Sequence, residues 1–257
     1  NTYMVPYLDN HGRMLSMLCD AIKGVYASVY FKDSKAYMQA TRNVIDEEKM
    51  AVVLQEVVGR RYGDHFYPNI SGVGRSLNYY PIDDERAEEG TVSLALGLGK
   101  YIVDGGRTLR VCPAHPARVL QTSDTEMALR ETQTRFCALD LKNMGENFSV
   151  DDGFNLLRLP VKVADADGAL QFIASTFNPT DQVIYPGLYP GGRKIISFVG
   201  VLEHDVVPLP QIMSEVLQMG EEAMRRPVEI EFAVEIDAKN RSCVFYLLQI
   251  RPMVDVR

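Results

Sequence analysis

The chain has 257 residues, of which 46% are hydrophobic and 24% are charged, and its formal net charge is −7 at pH 7. This composition predicts a globular protein with one large domain or two small ones, and its acidic balance gives no reason to expect nucleic acid or an anionic membrane as a partner. The sequence shows no apolar run near the length of a membrane span, no leader and no C-x-x-C pair, so it predicts a cytoplasmic protein with buried thiols and no zinc site.

The first predicted element is a helix over residues 10–31. Apolar residues recur there at helical spacing, from Met14 through Leu18 to Val29. Asp9 or Asn10 comes just before this run and can cap the first turn. The pattern predicts packing against a core and no chemistry, and a further helical stretch over 35–41 is predicted after a break.

The run MAVVLQEVV at 50–58 is apolar except for Gln55 and Glu56. Continuous apolar runs of this length are typical of strands that are buried on both faces. The sequence therefore predicts a buried central strand whose end meets solvent.

Residues 67–112 predict a series of strands and one short helix. The SGVG segment at 71–74 lacks the spacing of a phosphate-binding loop, so we expect a strand with a bulge or a close backbone approach. The charged segment 83–89 predicts a solvated loop. A strand then leads through Gly97 and Gly99 into a short helix that ends near 105–106, and 108–112 predicts the next strand.

Residues 117–209 carry no recognisable motif. Strand or mixed elements are predicted at 156–163, 169–175 and 195–202, and the segment 178–193, rich in Gly, Pro and Tyr, predicts an ordered loop. A helix is predicted over 210–224, with Pro210 near its start and an apolar stripe that includes Met213 and Leu217.

Residues 228–252 predict a β-hairpin, because apolar and polar residues alternate in both halves. The apolar sets, from Val228 to Val234 and from Val244 to Ile250, are expected to face each other. The turn candidate is 237–241, with Asn240 in a left-handed conformation at its centre. A one-residue slip would place carboxylates on the core face, so the pattern fixes the register.

This register places four polar side chains on one face of the hairpin. Glu229 is predicted to lie opposite Arg251, and Glu231 opposite Gln249. Carboxylate and amide oxygens can hold a hard cation, and a guanidinium can hold a phosphate. The same four residues also fit a solvated face with a cross-strand Glu–Arg pair. Spacing alone leaves both interpretations open.

The sequences EIEFA at 229–233 and LQIRP at 248–252 resemble the D-I-E-[WF]-A and L-Q-x-R-P motifs that end the nucleotide-binding domain of phosphoenolpyruvate synthases and pyruvate phosphate dikinases. That domain has an ATP-grasp fold. The resemblance implies that Glu231 and Gln249 are magnesium ligands and that Arg251 is a catalytic phosphate contact. It also implies that Glu229, which replaces the usual Asp, belongs to the nucleotide site. ATP and Mg²⁺ are the implied cofactors.

Other segments extend the resemblance. The run 50–58 is similar to M-A-V-V-V-Q-x-M-V, which implies that Gln55, Glu56, Val57 and Val58 form the hinge whose backbone meets adenine. Residues 2–6 and 21–30 look like the family's segment around A-I-K-x-V-[WY]-A-S-[VL]-[FY]. Residues 97–105 resemble G-L-G-E-x-[VI]-V-x-G, with Lys100 in place of the acid. Where the family reads S-G-V-x-F-T, positions 74–76 depart from the pattern with Gly-Arg-Ser.

The resemblance implies an α+β fold: an ATP-grasp-like lobe with a mainly antiparallel sheet flanked by helices, plus an inserted α/β region. We expect 1–112 to form the first part of this lobe, 113–194 an insertion or subdomain, and 195–257 the closing part with the metal–phosphate hairpin. In relatives, a lobe with a nucleotide-contacting Lys and the V-R-S-S arginine comes earlier, so the chain is expected to begin inside the ATP-grasp unit.

The implied function is the ATP-binding portion of a phosphotransferase that moves a phosphoryl group from ATP to a histidine in another domain. His11, His65, His115 and His204 do not lie in the T-x-H-A-A-like motif of that domain. The upstream lobe and the phosphohistidine domain are therefore the expected partners, and the chain alone is expected to bind ATP weakly and to be inactive.

Two alternatives remain open on the same resemblance. The departures at Glu229, at 74–76 and at Lys100 also fit a non-catalytic nucleotide sensor or interaction module that keeps the fold. The same unit also serves dikinase-like enzymes that act on another acceptor, such as an antibiotic or a glucan.

Overall fold

The structure is a computed structural model that describes residues 2–5, 10–31, 35, 50–143, 149, 153, 155–204 and 206–253. The chain divides into two compact units. The first contains Asn1–Val57 and Leu139–Leu157, and the second contains Val58–Ala138 and Arg158–Arg257. Within the described ranges, no helix is both long and apolar enough to cross a membrane.

The first unit contains helix α1, His11–Ala27, which continues as a short 3-10 turn, Ser28–Tyr30. Asn10 caps the helix, because its side chain accepts a hydrogen bond of 3.0 Å from the backbone N–H of Arg13. The predicted helix and its Asn10 cap are confirmed. Asp9, the other cap candidate, and all of the predicted stretch 35–41 except Lys35 lie outside the described residues.

The prediction of a buried strand over 50–58 is wrong. Val53 is 84% exposed, Leu54 is also exposed, and none of the described strands pairs with this segment. An apolar run forms a strand only where a neighbouring strand accepts and donates its backbone hydrogen bonds. The apolar sequence alone therefore did not determine its structure.

The strands of the described residues form three sheets. Their bounds are β1 Arg60–Tyr62, β2 His65–Tyr67, β3 Ile70–Arg75, β4 Thr91–Ala95, β5 Leu109–Val111, β6 Arg135–Asp140, β7 Leu156–Pro160, β8 Ala174–Asn178, β9 Val183–Pro186, β10 Arg193–Ile196, β11 Val228–Asp237 and β12 Ser242–Pro252. The sheet orders are β12-β11-β3-β4-β5, β10-β8-β9 and β1-β2-β6-β7. Every strand pair with a described register is antiparallel.

The described residues of the second unit form five further α-helices. They are α2 Lys100–Val103, α3 Thr125–Glu131, α4 Val161–Ala166, α5 Val199–Leu202 and α6 Leu209–Met224. Mixed helices and antiparallel sheets confirm the predicted α+β class. The predicted helix 210–224 is confirmed as α6, which has Pro210 in its first turn.

Helix α6 covers one face of the five-stranded sheet. Met213 and Leu217 are buried, and a Cβ added to Gly74 of β3 would lie 2.7 Å from the Met213 methyl group. A Cβ added to Gly220 would lie 2.8 Å from Ile250 of β12. The residues that alternate with Gly74 and Ile250 therefore lie on the opposite face of the sheet.

The segment 71–74 is part of strand β3, not a phosphate-binding loop. A Cβ on Gly72 would lie 2.2 Å from the ring of Phe232 on β11, so this position needs glycine for the close approach of the ring. The pairing of β3 with β4 runs from Ser71 to Arg75 without a register shift. The predicted reasons for the glycines were a bulge or a close backbone approach, whereas the close contact at Gly72 is with an aromatic side chain.

Glu85 corrects the prediction that 83–89 is a solvated loop. Its side chain is nearly buried and accepts hydrogen bonds from Arg110 at 2.6 and 3.0 Å, from Asn78 at 3.0 Å and from the N–H of Ile82 at 3.0 Å. These bonds, those from Arg110 first, outweigh the effect of burial and hold the pKa of Glu85 below its usual range. The charge run could not reveal a partner that lies on another strand.

The region 117–209 differs from its prediction in detail. The expected strand 195–202 ends at Ile196, because Phe198 takes a left-handed φ of 52° and the chain turns into α5. The expected loop 178–193 contains β9, and the sequence analysis did not predict α3 or β6.

The expectation of buried thiols holds for two of the four cysteines. Cys112 and Cys137 are buried, and burial raises the pKa of both thiols. Cys243 is half-buried. Cys19 is exposed, because it lies away from the buried side of α1, and the expectation is wrong there.

Candidate functional site

The hairpin β11–β12 has the predicted register at its open end. Glu229 lies opposite Arg251, and Glu231 lies opposite Gln249. At the turn, Asp237 accepts hydrogen bonds from the side chain of Asn240 at 2.7 Å and from the backbone of residues 239 and 240. Arg241 takes the left-handed φ of 47°, so the prediction for Asn240 is wrong. Capture of the Asn240 side chain by Asp237 places the left-handed residue one position later.

A β-bulge changes the alternation of β12. Gln249 pairs with Glu231 while Leu247 pairs with Phe232, which leaves Leu248 as the extra residue. Beyond the bulge the apolar alternation predicted for the second strand is wrong. Phe245, not Val244, shares the side of Phe232 and stacks on it with ring centroids 5.0 Å apart. An inserted residue reverses which side chains face the core.

Strand β3 brings a further residue to the polar face. Arg75 lies opposite Glu229 on the side of β11 that does not pair with β12. Three side chains in one row, Arg75, Glu229 and Arg251, therefore lie on the face away from α6. Sequence reasoning missed Arg75, because only the pairing of β3 with β11 places it there.

Glu229 binds both arginines. Its Oε2 accepts a hydrogen bond of 2.7 Å from Arg75 Nε, and its Oε1 accepts bonds from Arg251 Nε, at 2.9 Å, and Nη2. The carboxylate side chain is only 12% exposed, whereas Arg75 and Arg251 are 48% and 59% exposed. Burial would raise the pKa of Glu229, but the bonds from Arg251 and Arg75 outweigh it and hold the pKa below its usual range.

Glu231 and Gln249 lie in the next row of the same face. Glu231 is half-buried and Gln249 is exposed, and within the described ranges neither side chain has a hydrogen bond or an ion pair. Their oxygens are therefore available to a ligand. Among the described residues there is no cluster of three or more His, Cys, Asp and Glu that could hold a metal. Mg²⁺ fits this set, since it commonly takes one or two protein oxygens and completes its shell with water and phosphate.

The predicted adenine hinge, residues 55–58, belongs to none of the described helices or strands. Gln55 and Glu56 are exposed, and Val57 and Val58 are half-buried. Residues 55–57 belong to the first unit and Val58 to the second. A hinge would use backbone groups, so the contact of these four residues with adenine stays a prediction.

Two of the histidines lie beside acidic residues, and the other two are exposed. His115 Nε2 lies 3.2 Å from Glu89, and His65 Nδ1 lies 3.7 Å from Asp167. His11 and His204 are exposed.

Comparison with known proteins gives one family. The family model described as "Pyruvate phosphate dikinase, AMP/ATP-binding domain" matches residues 6–256. No curated protein matches the chain. The matched range includes the whole polar face of the hairpin.

Proposed function

The chain belongs to the pyruvate phosphate dikinase AMP/ATP-binding domain family, and from this membership we propose that the polar face of β11–β12 holds Mg²⁺ and the phosphates of ATP. Nucleotide binding is the property of the family. The position of the nucleotide on this chain is the proposal.

One observation supports the proposal most strongly. Glu231 and Gln249 face each other with available oxygens, and the adjacent row ends in the exposed guanidinium of Arg251. A cation on the first pair would lie next to a donor for the phosphate that it binds. Hard oxygen ligands beside a guanidinium suit a metal-bound phosphate.

The residues of this face have separate roles. Glu231 and Gln249 supply oxygens to Mg²⁺, which neutralises negative charge on the phosphates when it is bound. Arg251 donates hydrogen bonds to a phosphate. Glu229 holds Arg251 in place and is itself a buried part of the nucleotide site. The contact of residues 55–58 with adenine is also part of the proposal, and only the resemblance supports it.

The phosphoryl group of ATP is proposed to pass to a histidine in another domain of a phosphoenolpyruvate synthase or dikinase. A nucleotide sensor is the second candidate, favoured by Lys100, which occupies the family's acidic position and pairs with Asp104 at 2.9 Å. An upstream ATP-grasp lobe and a phosphohistidine domain from a family enzyme, added to the chain with labelled ATP, separate the two. Acid-labile label on that domain supports the enzyme, and intact ATP binding without transfer supports the sensor.

Calorimetric titration with ATP and Mg²⁺ tests the site. Glu231→Gln removes the carboxylate charge and is expected to weaken binding about tenfold or more, with a much smaller effect when Mg²⁺ is chelated. Glu215→Gln on the exposed side of α6 is the matched control and should bind as the wild type does. Wild-type affinity in Glu231→Gln would contradict the proposed metal position.

A further inference from the structure

Arg75 shares the carboxylate of Glu229 with Arg251 but uses little of its own donor capacity. A guanidinium has five N–H donors. Arg75 gives Nε to Glu229, and Arg251 gives Nε and Nη2. Within the described part of the chain, no residue accepts a hydrogen bond from the Nη groups of Arg75 or from Nη1 of Arg251. Both arginines are about half exposed, so these donors face solvent.

The geometry brings the two guanidinium groups toward one ligand. Arg75 and Arg251 lie on strands on either side of β11, and neighbouring strands are about 4.8 Å apart. Both side chains bend toward the same carboxylate between them. That carboxylate screens their mutual repulsion and fixes their conformations, so less entropy is lost when an anion binds.

The charges of the face also favour an anion once the metal is present. Arg75 and Arg251 balance Glu229 and Glu231, so the four side chains carry no net charge together. A divalent cation on Glu231 and Gln249 would make the same face positive by two charges. A polyphosphate chain can then interact both with the two arginines and with the cation in the next row, whereas a single phosphate can interact with only some of these positive groups.

We propose that Arg75 is a second phosphate-binding residue, which with Arg251 clamps the phosphates beyond the first and so selects ATP over AMP. Glu229 is the positioning residue for both arginines. The inference rests on the proposed nucleotide site and adds a residue at a position where the resembled family carries Phe. A purely structural Arg75 would instead serve only to join β3 to β11.

Affinity for two nucleotides distinguishes these roles. Arg75→Gln is expected to weaken binding of ATP with Mg²⁺ about tenfold or more, the loss expected for charge-assisted hydrogen bonds, while AMP binding changes less than about twofold. Arg75→Lys keeps the positive charge but loses the planar guanidinium group. Its preference for ATP over AMP should therefore lie between that of the wild type and that of Arg75→Gln. Arg130→Gln, which breaks an exposed pair with Glu131, is the control and should leave both affinities unchanged.

Each possible result either supports or overturns the proposed role of Arg75 in binding phosphate. Equal weakening of ATP and AMP, or no weakening of either, in Arg75→Gln would overturn the role of Arg75 while wild-type ATP binding keeps the proposed site intact. Wild type that binds no ATP would overturn the site and the inference together. If thermal unfolding shows that Arg75→Gln is not folded, Arg75→Lys decides: an unchanged ATP-to-AMP preference overturns the clamp, and a reduced one supports it.

Discussion

The carboxylates of the hairpin face differ by their partners, although both are glutamates on β11 two positions apart. Glu229 is nearly buried between two guanidinium groups, whereas Glu231 has no such partner within the described ranges. A buried carboxylate needs hydrogen-bond donors to stay charged, and an available one can bind a cation. We therefore expect Glu229 to affect stability and Glu231 to affect ligand binding.

Glu229→Gln tests this difference through pH. The folded-state pKa of Glu229 lies below its ordinary value of 4.5, so its ionised form stabilises the fold fully above that pH, and the contribution is lost as pH falls from there through the folded-state pKa. The variant should be about 1–2 kcal/mol less stable at neutral pH, a small value because both arginines are half exposed. Urea unfolding from about pH 6 to about pH 3 should show this difference shrink.

Glu215→Gln provides the control for that measurement. Glu215 is exposed on α6, so its stability difference from the wild type should be small and the same at every pH. A Glu229→Gln difference that does not shrink at low pH would mean that its charge is not what stabilises the fold.

At the scale of elements, periodicity predicted those elements in which the spacing of residues within one segment determines which side chains are buried. Helices α1 and α6 and the hairpin follow directly from residue spacing. The run 50–58 and the Leu248 bulge did not, because each depends on which strand lies alongside. A hydrophobic pattern indicates that a residue prefers burial, but it does not indicate which element will pack against that residue.

Gly72 of β3 lies against the ring of Phe232 on β11. In Gly72→Ala the added methyl group would lie 2.2 Å from the ring, so we expect a loss of about 1–3 kcal/mol in the free energy of unfolding. Gly99→Ala is the control, since its methyl group would lie 3.9 Å from Ser71, and it should change stability by less than about 0.5 kcal/mol. Urea denaturation measures both.

Phe232→Leu adds a check on the cause. If the ring is what the methyl group meets, the double variant Gly72→Ala, Phe232→Leu should lose less stability than the sum of the single variants. Additive losses, or equal stability of Gly72→Ala and Gly99→Ala, would show that β3 and β11 do not pack as described.

At the scale of the whole molecule, the five-stranded sheet assembles the site from distant parts of the sequence. Arg75 and Glu229 are 154 positions apart, and they meet only because β3 pairs with β11. The motifs predicted Glu229, Glu231, Gln249 and Arg251 as one face, since a hairpin is local. They could not predict Arg75 or the partner of the buried Glu85, Arg110, since both require pairing between distant parts of the sequence. The three-part division at 112 and 194 stays a prediction.

The chain as a whole carries a net charge of −7, which opposes the approach of ATP. Binding therefore depends on local positive charge from the arginines of the face and from Mg²⁺. When paramagnetic Mn²⁺ replaces Mg²⁺ in the complex with ATP, the broadening of each amide signal depends on the distance of that amide from the bound metal. Weak binding is sufficient for this measurement.

Broadening of backbone amide signals by Mn²⁺ and ATP is the most direct test of the proposed site, because amides along the hairpin lie at increasing distances from the proposed metal position. Broadening should be strongest at Glu231 and Gln249 and should fade toward Ser242, about 23 Å along β12 from Gln249. Glu231→Gln should reduce this broadening at the same concentrations of Mn²⁺ and ATP. ATP binding with the strongest broadening at the turn, or with none on β11 and β12, would contradict a metal–phosphate site on this face.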